Sequence, residues 1–103
     1  MEYLRAAIRL NPDDDKPHYD LGSLYLLRNQ LAEARTEFET VLRLNPEDYQ
    51  AHGNLGAIHL RLQNFGLAEW HFQNALRLNP DDAIARRNLD LVLAAKRALQ
   101  RGN

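Results

Sequence analysis

Small and apolar side chains recur along this chain three and four positions apart, the spacing that places residues on one face of an α-helix. One segment with this pattern contains Leu21, Leu24 and Tyr25, and the next contains Ala34, Phe38, Val41 and Leu42. Leu-Asn-Pro runs follow such segments. Proline lacks the amide proton that a continuing helix needs, and it disfavours helix at the residue before it. The pattern therefore predicts amphipathic helices separated by short turns.

The helix-ending signals return at a fixed interval. Leu-Asn-Pro occupies residues 10–12, 44–46 and 78–80, a spacing of 34 residues. Asp14, Asp48 and Asp82 recur with it, at positions where a carboxylate can accept a hydrogen bond from a helix-starting amide. Twelve of the 34 positions are identical between residues 10–43 and residues 44–77. A period of this length predicts helix pairs stacked in an array, and the first helix of each pair is expected to end near Asn29 or Asn64.

The residues at equivalent positions carry a resemblance to a known family. The first copy of the pattern consists of His18, Leu21, Gly22, Tyr25, Ala34, Phe38, Val41 and Pro46, and the second of His52, Leu55, Gly56, His59, Ala68, Phe72, Ala75 and Pro80. This arrangement resembles the tetratricopeptide repeat family, in which each repeat has a first helix, A, and a second helix, B. His18 and His52 stand where the family usually has Trp, His59 replaces Tyr, and Val41 replaces Ala.

The resemblance implies an all-α fold, a right-handed α-solenoid of about six helices stacked as antiparallel pairs. Residues 1–12 are then an orphan B helix, residues 13–48 and 49–82 are two repeats, and residues 83–103 are a capping helix. The outer face of that last helix is mostly polar, as a cap requires, and it consists of Arg86, Asp90, Leu93 and Arg97. Leu89 and Val92 are expected to pack back on the second repeat.

Gly22 and Gly56 lie inside the predicted A helices, where a glycine costs about 1 kcal/mol relative to alanine. The resemblance implies a compensation. A glycine here and a small residue in helix B, Ala34 or Ala68, allow the two helix backbones to approach closely.

In this family the A helices line a concave groove, and the resemblance implies where function lies. We predict a non-catalytic protein–protein interaction or scaffold module that binds a peptide segment or a partner surface in that groove. Amides suit this role because they can bond both polar groups of a peptide backbone. The predicted groove residues are Lys16, Tyr19, Asp20, Ser23, Gln50, Asn54, Arg61, Arg87 and Asn88. The same geometry adds apolar groove positions at Leu26, Leu27, Leu60, Ile84 and Leu91.

One subgroup of the family clamps the terminal carboxylate of chaperone tails with Lys, Asn, Asn, Lys and Arg. Only Asn54 of that set is present here, and the other clamp positions hold Tyr19, Ser23, Ile84 and Asn88. Without the cations, this chain is not expected to be a receptor for chaperone tails. Arg61 and Arg87 are instead expected to attract an acidic residue of a ligand.

The alternative function is self-assembly into homo-oligomers. The N-terminal helix has no A partner, so that Tyr3, Leu4 and Ile8 lose part of their cover. Such uncovered apolar surface is expected either where a neighbouring repeat of a longer array is missing or where the chain forms an interface. Trp70 is a second candidate contact for a partner, because aromatic anchors dominate interfaces. Trp70 and His71 are both expected on the exposed side of helix B in the second repeat.

Composition excludes several other functions. The formal net charge is -1 and no basic block is present, which argues against nucleic acid as a partner. The absence of cysteine removes disulfides, thiol catalysis and cysteine-ligated metals. The four histidines lack the spacing of a helical zinc site, and His18, His52 and His59 are expected to pack between helices. We therefore expect no enzyme, no cofactor, no metal and no membrane partner. We also expect a soluble chain without a signal or transmembrane segment, in a compartment that the sequence does not specify.

Overall fold

A computed structural model describes residues 1–102, and these residues form six α-helices and no strand. The helices are α1 (Glu2–Leu10), α2 (Asp15–Leu27), α3 (Leu31–Leu44), α4 (Tyr49–Arg61), α5 (Phe65–Leu78) and α6 (Ala83–Arg101). The chain divides into two compact units. Met1–Ala51 form the N-terminal unit, and the chain from His52 onward forms the C-terminal unit.

The three periodic aspartates begin helices, as the sequence predicts. The Asp14 carboxylate accepts a hydrogen bond from the amide of Lys16 at 3.1 Å. Asp48 and Asp82 accept from the amides of Ala51 and Ala85, both at 3.1 Å. Each carboxylate satisfies an amide that has no partner within its own helix, and it also interacts favourably with the positive end of the helix dipole.

The turns inside the helix pairs depend on two residues in a left-handed conformation. Asn29 has φ 57° and Gln63, one period later, has φ 61°. The Gln63 amide bonds to the Leu60 carbonyl oxygen at 3.1 Å, which closes the last turn of α4. The sequence placed the end of this helix near Asn64, but α4 ends at Arg61, and Asn64 instead precedes α5.

The core of the N-terminal unit is built around Phe38. This ring is fully buried, and the Tyr19 ring meets it edge-on with 5.4 Å between the ring centroids. Leu21 on α2 and Ala34 and Val41 on α3 are buried as well. Across α1 and α2, a hydrogen bond between Arg5 and Tyr25 raises the pKa of the exposed arginine.

Phe72 occupies the equivalent place in the C-terminal unit. It is fully buried in a cluster with Ala68, Ala75, Ala85 and Val92. Leu89 packs against this cluster. The prediction that Leu89 and Val92 pack back on the preceding helix is therefore confirmed. Arg86, Asp90 and Arg97 are exposed on α6, as expected of its polar face.

The two helix glycines leave room for a phenylalanine ring of the partner helix rather than for an alanine. A Cβ atom added to Gly56 would lie 2.6 Å from Cε1 of Phe72, and one added to Gly22 would lie 3.0 Å from the Phe38 ring. Close helix approach was predicted against Ala34 and Ala68, one turn before these phenylalanines. Both alanines are buried, but the aromatic ring fills the space beside each glycine.

Candidate functional site

The predicted groove residues of the N-terminal unit follow one face of α2. Lys16, Tyr19, Asp20 and Ser23 are spaced so that they lie on consecutive turns of the same side. Lys16 and Asp20 are exposed, whereas Tyr19 and Ser23 are half-buried. Leu27 continues this face for one further turn and is mostly exposed. The edge-on contact with Phe38 fixes the Tyr19 ring, so this face offers one ordered aromatic residue between two opposite charges.

A corresponding face runs along α4. Gln50 lies at its start and is exposed, Asn54 follows one turn later and is half-buried, and Arg61 is exposed at its end. Gly53 and Ala57 lie on the same side and add no bulk. This face therefore presents amides, one cation and little side-chain volume, and such a surface leaves room for an extended backbone.

The face on α6 has the largest exposed apolar side chains among the predicted groove positions of the C-terminal unit. Ile84 is 65% exposed and Leu91 is 54% exposed. They are seven residues apart and thus on the same side of the helix. Arg87, which is exposed, and Asn88, which is half-buried, lie between them. The α6 face therefore combines two apolar anchors, one amide and one cation.

Ile84 and Leu91 are groove positions in the sequence prediction but are not among its binding residues. Their exposure is the feature that distinguishes them, because Ala85 and Val92, the residues that follow each of them, are buried against α5. The amphipathic pattern of α6 contained this signal, since these two side chains lie beside the buried stripe rather than within it.

The candidate contacts on α1 differ in their exposure. Tyr3 is 82% exposed, and Leu4 and Ile8 are half-buried. Leu10, at the end of the helix, is 87% exposed. No residue of α1 is fully buried.

The histidines act as packing residues in both units. His18 is half-buried, and its Nδ1 lies 2.8 Å from a carboxylate oxygen of Glu37. His52 and His59 are buried, which confirms the expectation that they pack between helices. The prediction for His71 is wrong, since this side chain is also buried, whereas its neighbour Trp70 is about half exposed. His71 turns inward because the His52 and His59 rings of α4 pack against it.

Within residues 1–102, no group of three or more His, Cys, Asp or Glu side chains could hold a metal ion. None of the helices described is both long and apolar enough to cross a lipid bilayer.

Known structures share this fold. A MamA double mutant, MamA RS-1 ArsTM, matches with a TM-score of 0.88 and 27% identity, covering 98% of this chain and 57% of that one. The first tetratricopeptide repeat domain of Spaghetti (RPAP3), bound to the HSP90 peptide SRMEEVD, matches with a TM-score of 0.86 and 21% identity, covering 89% and 73%. YrrB, described as having an unusual peptide-binding site, matches with a TM-score of 0.85 and 22% identity, covering 91% and 48%.

The chain thus spans about half of YrrB and of the MamA mutant and about three quarters of the Spaghetti domain. No curated protein sequence matches it significantly. These structures confirm the predicted all-α solenoid fold of helix pairs. The tetratricopeptide repeat family model matches residues 2–38 and 19–70, which together exceed half of the chain. The chain therefore belongs to the tetratricopeptide repeat family, whose members are in general non-catalytic protein–protein interaction modules.

Proposed function

We propose that this chain binds an extended peptide segment of another protein, with the faces of α4 and α6 in its C-terminal unit as the main contact surface. The face of α2 in the N-terminal unit is proposed as a separate contact surface. The observation that carries the proposal is the α6 face, where Ile84 and Leu91 are exposed on either side of Arg87 and Asn88. Large apolar side chains rimmed by polar groups are typical of a binding surface. We also propose that the chain consists of an orphan B helix, two repeats and a capping helix.

The chemistry of these faces defines the ligand. Asp20, Asn54 and Asn88 are spaced 34 residues apart, so the two repeats and the capping helix each contribute one short polar side chain at the same position. An amide can accept from a peptide N–H and donate to a peptide carbonyl oxygen. The exposed cations Arg61 and Arg87 favour an acidic residue in the ligand, and Ile84 and Leu91 favour apolar ones.

Two of the matched proteins are peptide binders by their descriptions, and this supports the same activity here. The identity of the ligand is not carried over from them. The Spaghetti domain binds an HSP90 peptide, SRMEEVD, whereas four of the five clamp positions in this chain hold residues of other types. We therefore propose a peptide with internal apolar and acidic residues, held along its length rather than by its terminal carboxylate.

The test is selection of peptides from a random library displayed on phage, followed by calorimetric titration of the peptide recovered most often. Leu91→Ser, and the pair Asn54→Ala with Arg61→Ala, are each expected to weaken binding at least tenfold, or about 1.4 kcal/mol. Leu67→Ser is the matched control, since Leu67 is a 52% exposed leucine on α5, outside the proposed faces. Equal losses in Leu91→Ser and Leu67→Ser would contradict the proposal, as would a library that yields no binder.

Self-assembly is the second candidate function, and the exposure of Tyr3 and Leu10 on α1 favours it. The occupant of this surface would be a second copy of the chain. The N-terminal unit contains ten acidic and six basic side chains, whereas the rest of the chain contains four and seven, so opposite units of two copies attract one another.

Light scattering at increasing protein concentration tests this second function. Leu4→Glu and Ile8→Glu are expected to reduce the mass to that of the monomer, whereas Asn54→Ala with Arg61→Ala leaves the mass unchanged. If the wild-type chain is a monomer at every concentration, or if the glutamate variants keep the wild-type mass, the second function is wrong.

A further inference from the structure

Three buried histidines meet in the C-terminal unit, and the proposed function does not use them. Nδ1 of His52 lies 3.1 Å from Nδ1 of His71. The His59 ring stacks on the His71 ring with 5.5 Å between centroids and 3° between planes. Trp70 meets His52 and His71 edge-on, with centroid distances of 5.7 Å and 4.9 Å. We call His52, His59 and His71 the histidine cluster.

The N-terminal unit has a different pair at the equivalent place. His18 and His52 are one period apart, and so are Glu37 and His71. The contact in the N-terminal unit therefore joins an imidazole to a carboxylate at 2.8 Å, whereas the contact in the C-terminal unit joins two imidazoles at 3.1 Å. The C-terminal unit therefore has a second imidazole where the N-terminal unit has a carboxylate.

The groups around His71 determine how it responds to acid. From α4 it faces His52 and His59, and α4 contains no Asp or Glu. The one carboxylate of α5, Glu69, accepts a hydrogen bond from Lys96 of α6 at 2.6 Å. Asn64, before α5, lies 3.4 Å from Nδ1 of His59 through its amide nitrogen. Burial, followed by the nearby His52 and His59, lowers the pKa of His71 from 6.5 to about 4.

Proton positions show why the cluster resists charging. The contact between His52 and His71 needs one Nδ1–H donor and one bare Nδ1 acceptor. A single added proton can be accommodated on a second ring nitrogen of the donor. A further proton would place two N–H donors 3.1 Å apart with no acceptor between them. The unfolded chain, in which each imidazole is hydrated separately, has no such constraint and takes up more protons.

We propose that the histidine cluster is an acid-sensitive lock on the packing of α4 against α5. Mild acid loosens this packing and thereby displaces the part of α4 that carries Asn54 and Arg61. The loss of stability does not depend on the proposed function, and the displacement of these two residues is its consequence for a ligand. Unfolding measurements therefore test the lock separately from peptide binding.

The direction and size of the stability change follow from the difference in proton uptake between the folded and unfolded chains. A group with a lowered pKa in the folded chain contributes stability that is complete above its unfolded pKa and is lost as the pH falls. For His71 the loss begins near pH 6.5 and continues to about pH 4. Between about pH 7.5 and about pH 5, this histidine alone should lower the folding equilibrium constant roughly 30-fold.

The experiment compares urea unfolding at both pH values, followed by circular dichroism and by the fluorescence of Trp70, the single tryptophan. The folding equilibrium constant of the wild-type chain should fall about 30-fold from the higher to the lower pH. In His71→Gln, whose amide does not titrate, the folding equilibrium constant should fall at most about threefold. The same limit should hold for His71→Glu, which reproduces the histidine–carboxylate pair of the N-terminal unit. His18→Gln is the matched control and should retain at least the wild-type fall.

The proposal would be overturned if the folding equilibrium constant of His71→Gln fell as much as that of the wild-type chain. It would also be overturned if the wild-type constant did not fall. If neither His71 variant folds, NMR titration of the histidine ring protons in the wild-type chain decides the matter. The proposal requires that the His71 resonance titrate with a midpoint well below 6.5, near 4. A midpoint at 6 or above would overturn it.

Discussion

The contact between Gly56 and Phe72 allows the most direct test of how the helix pairs are held together. In Gly56→Ala, the new methyl group would lie 2.6 Å from Cε1 and 2.8 Å from Cζ of a phenylalanine that is fully buried. Carbon atoms in contact are normally separated by about 3.5–4.0 Å. The ring is enclosed by Ala68, Ala75, Ala85 and Val92, so it can move only by disturbing the core.

Two effects of opposite sign determine how much Gly56→Ala changes the free energy of unfolding. Alanine is favoured over glycine inside a helix by about 1 kcal/mol. Overpacking a core usually costs about 1–3 kcal/mol, and this overlap is nearly 1 Å, so the cost belongs at the upper end of that range. The net expectation for Gly56→Ala is a loss of about 1–2 kcal/mol in the free energy of unfolding. Gly22→Ala, with a closest approach of 3.0 Å, should lose less.

Gly53→Ala is the internal control. Gly53 lies on α4, three residues before Gly56, and a Cβ atom there would meet nothing within 4 Å. The helix preference then acts alone, so this variant should be more stable than wild type by about 0.5–1 kcal/mol. Urea unfolding at neutral pH, monitored by circular dichroism, measures all three variants under the same conditions.

The loss of stability in Gly56→Ala should depend on the Phe72 ring. In the double variant Gly56→Ala with Phe72→Leu, the smaller side chain should relieve the overlap, so its loss should be less than the sum of the two single losses. A Gly56→Ala variant as stable as Gly53→Ala would refute the tight contact. Strict additivity in the double variant would show that the methyl group disturbs something other than Phe72.

Three further predictions concern other contacts. Asp82→Ala removes the hydrogen bond to the Ala85 amide and should cost about 1 kcal/mol of stability, measured by urea unfolding, whereas Asp82→Asn should retain most of it. Lys96→Ala should cost at most about 1 kcal/mol despite the 2.6 Å contact with Glu69, because Lys96 is 41% exposed, and this cost should fall as salt is added. The peptide SRMEEVD should bind negligibly by calorimetry, because four clamp positions hold Tyr19, Ser23, Ile84 and Asn88 in place of two lysines, an asparagine and an arginine.

Much of the fold was predictable because its signals are local. The aspartates that begin helices and the prolines that follow them act through backbone hydrogen bonds within a few residues. The left-handed turns at Asn29 and Gln63 are also local, but Gln is an unusual residue there, and the predicted end of α4 was therefore too late. Local rules work wherever the residue type matches the conformation.

The candidate site was only partly predictable. Periodicity placed the polar groove positions at equivalent points of each repeat, since one residue per turn determines which face a side chain occupies. Periodicity assigned Ile84 and Leu91 to the groove but did not mark them as binding residues, and the expectation that His71 lies on the exposed side was wrong. The exposure of a side chain at the edge of a helix face depends on which neighbouring helix covers that edge.

The amino-acid sequence by itself determined the 34-residue period, the helix boundaries to within a few residues and the positions of the two helix glycines. The tertiary structure alone decided that Phe72 is the neighbour of Gly56 and that His71 joins two other histidines. Backbone hydrogen bonding and helical spacing act over a few residues and can be read along the chain. Burial and pKa shifts depend on groups that packing brings together, including groups on other helices. They therefore arise only once the helices have packed.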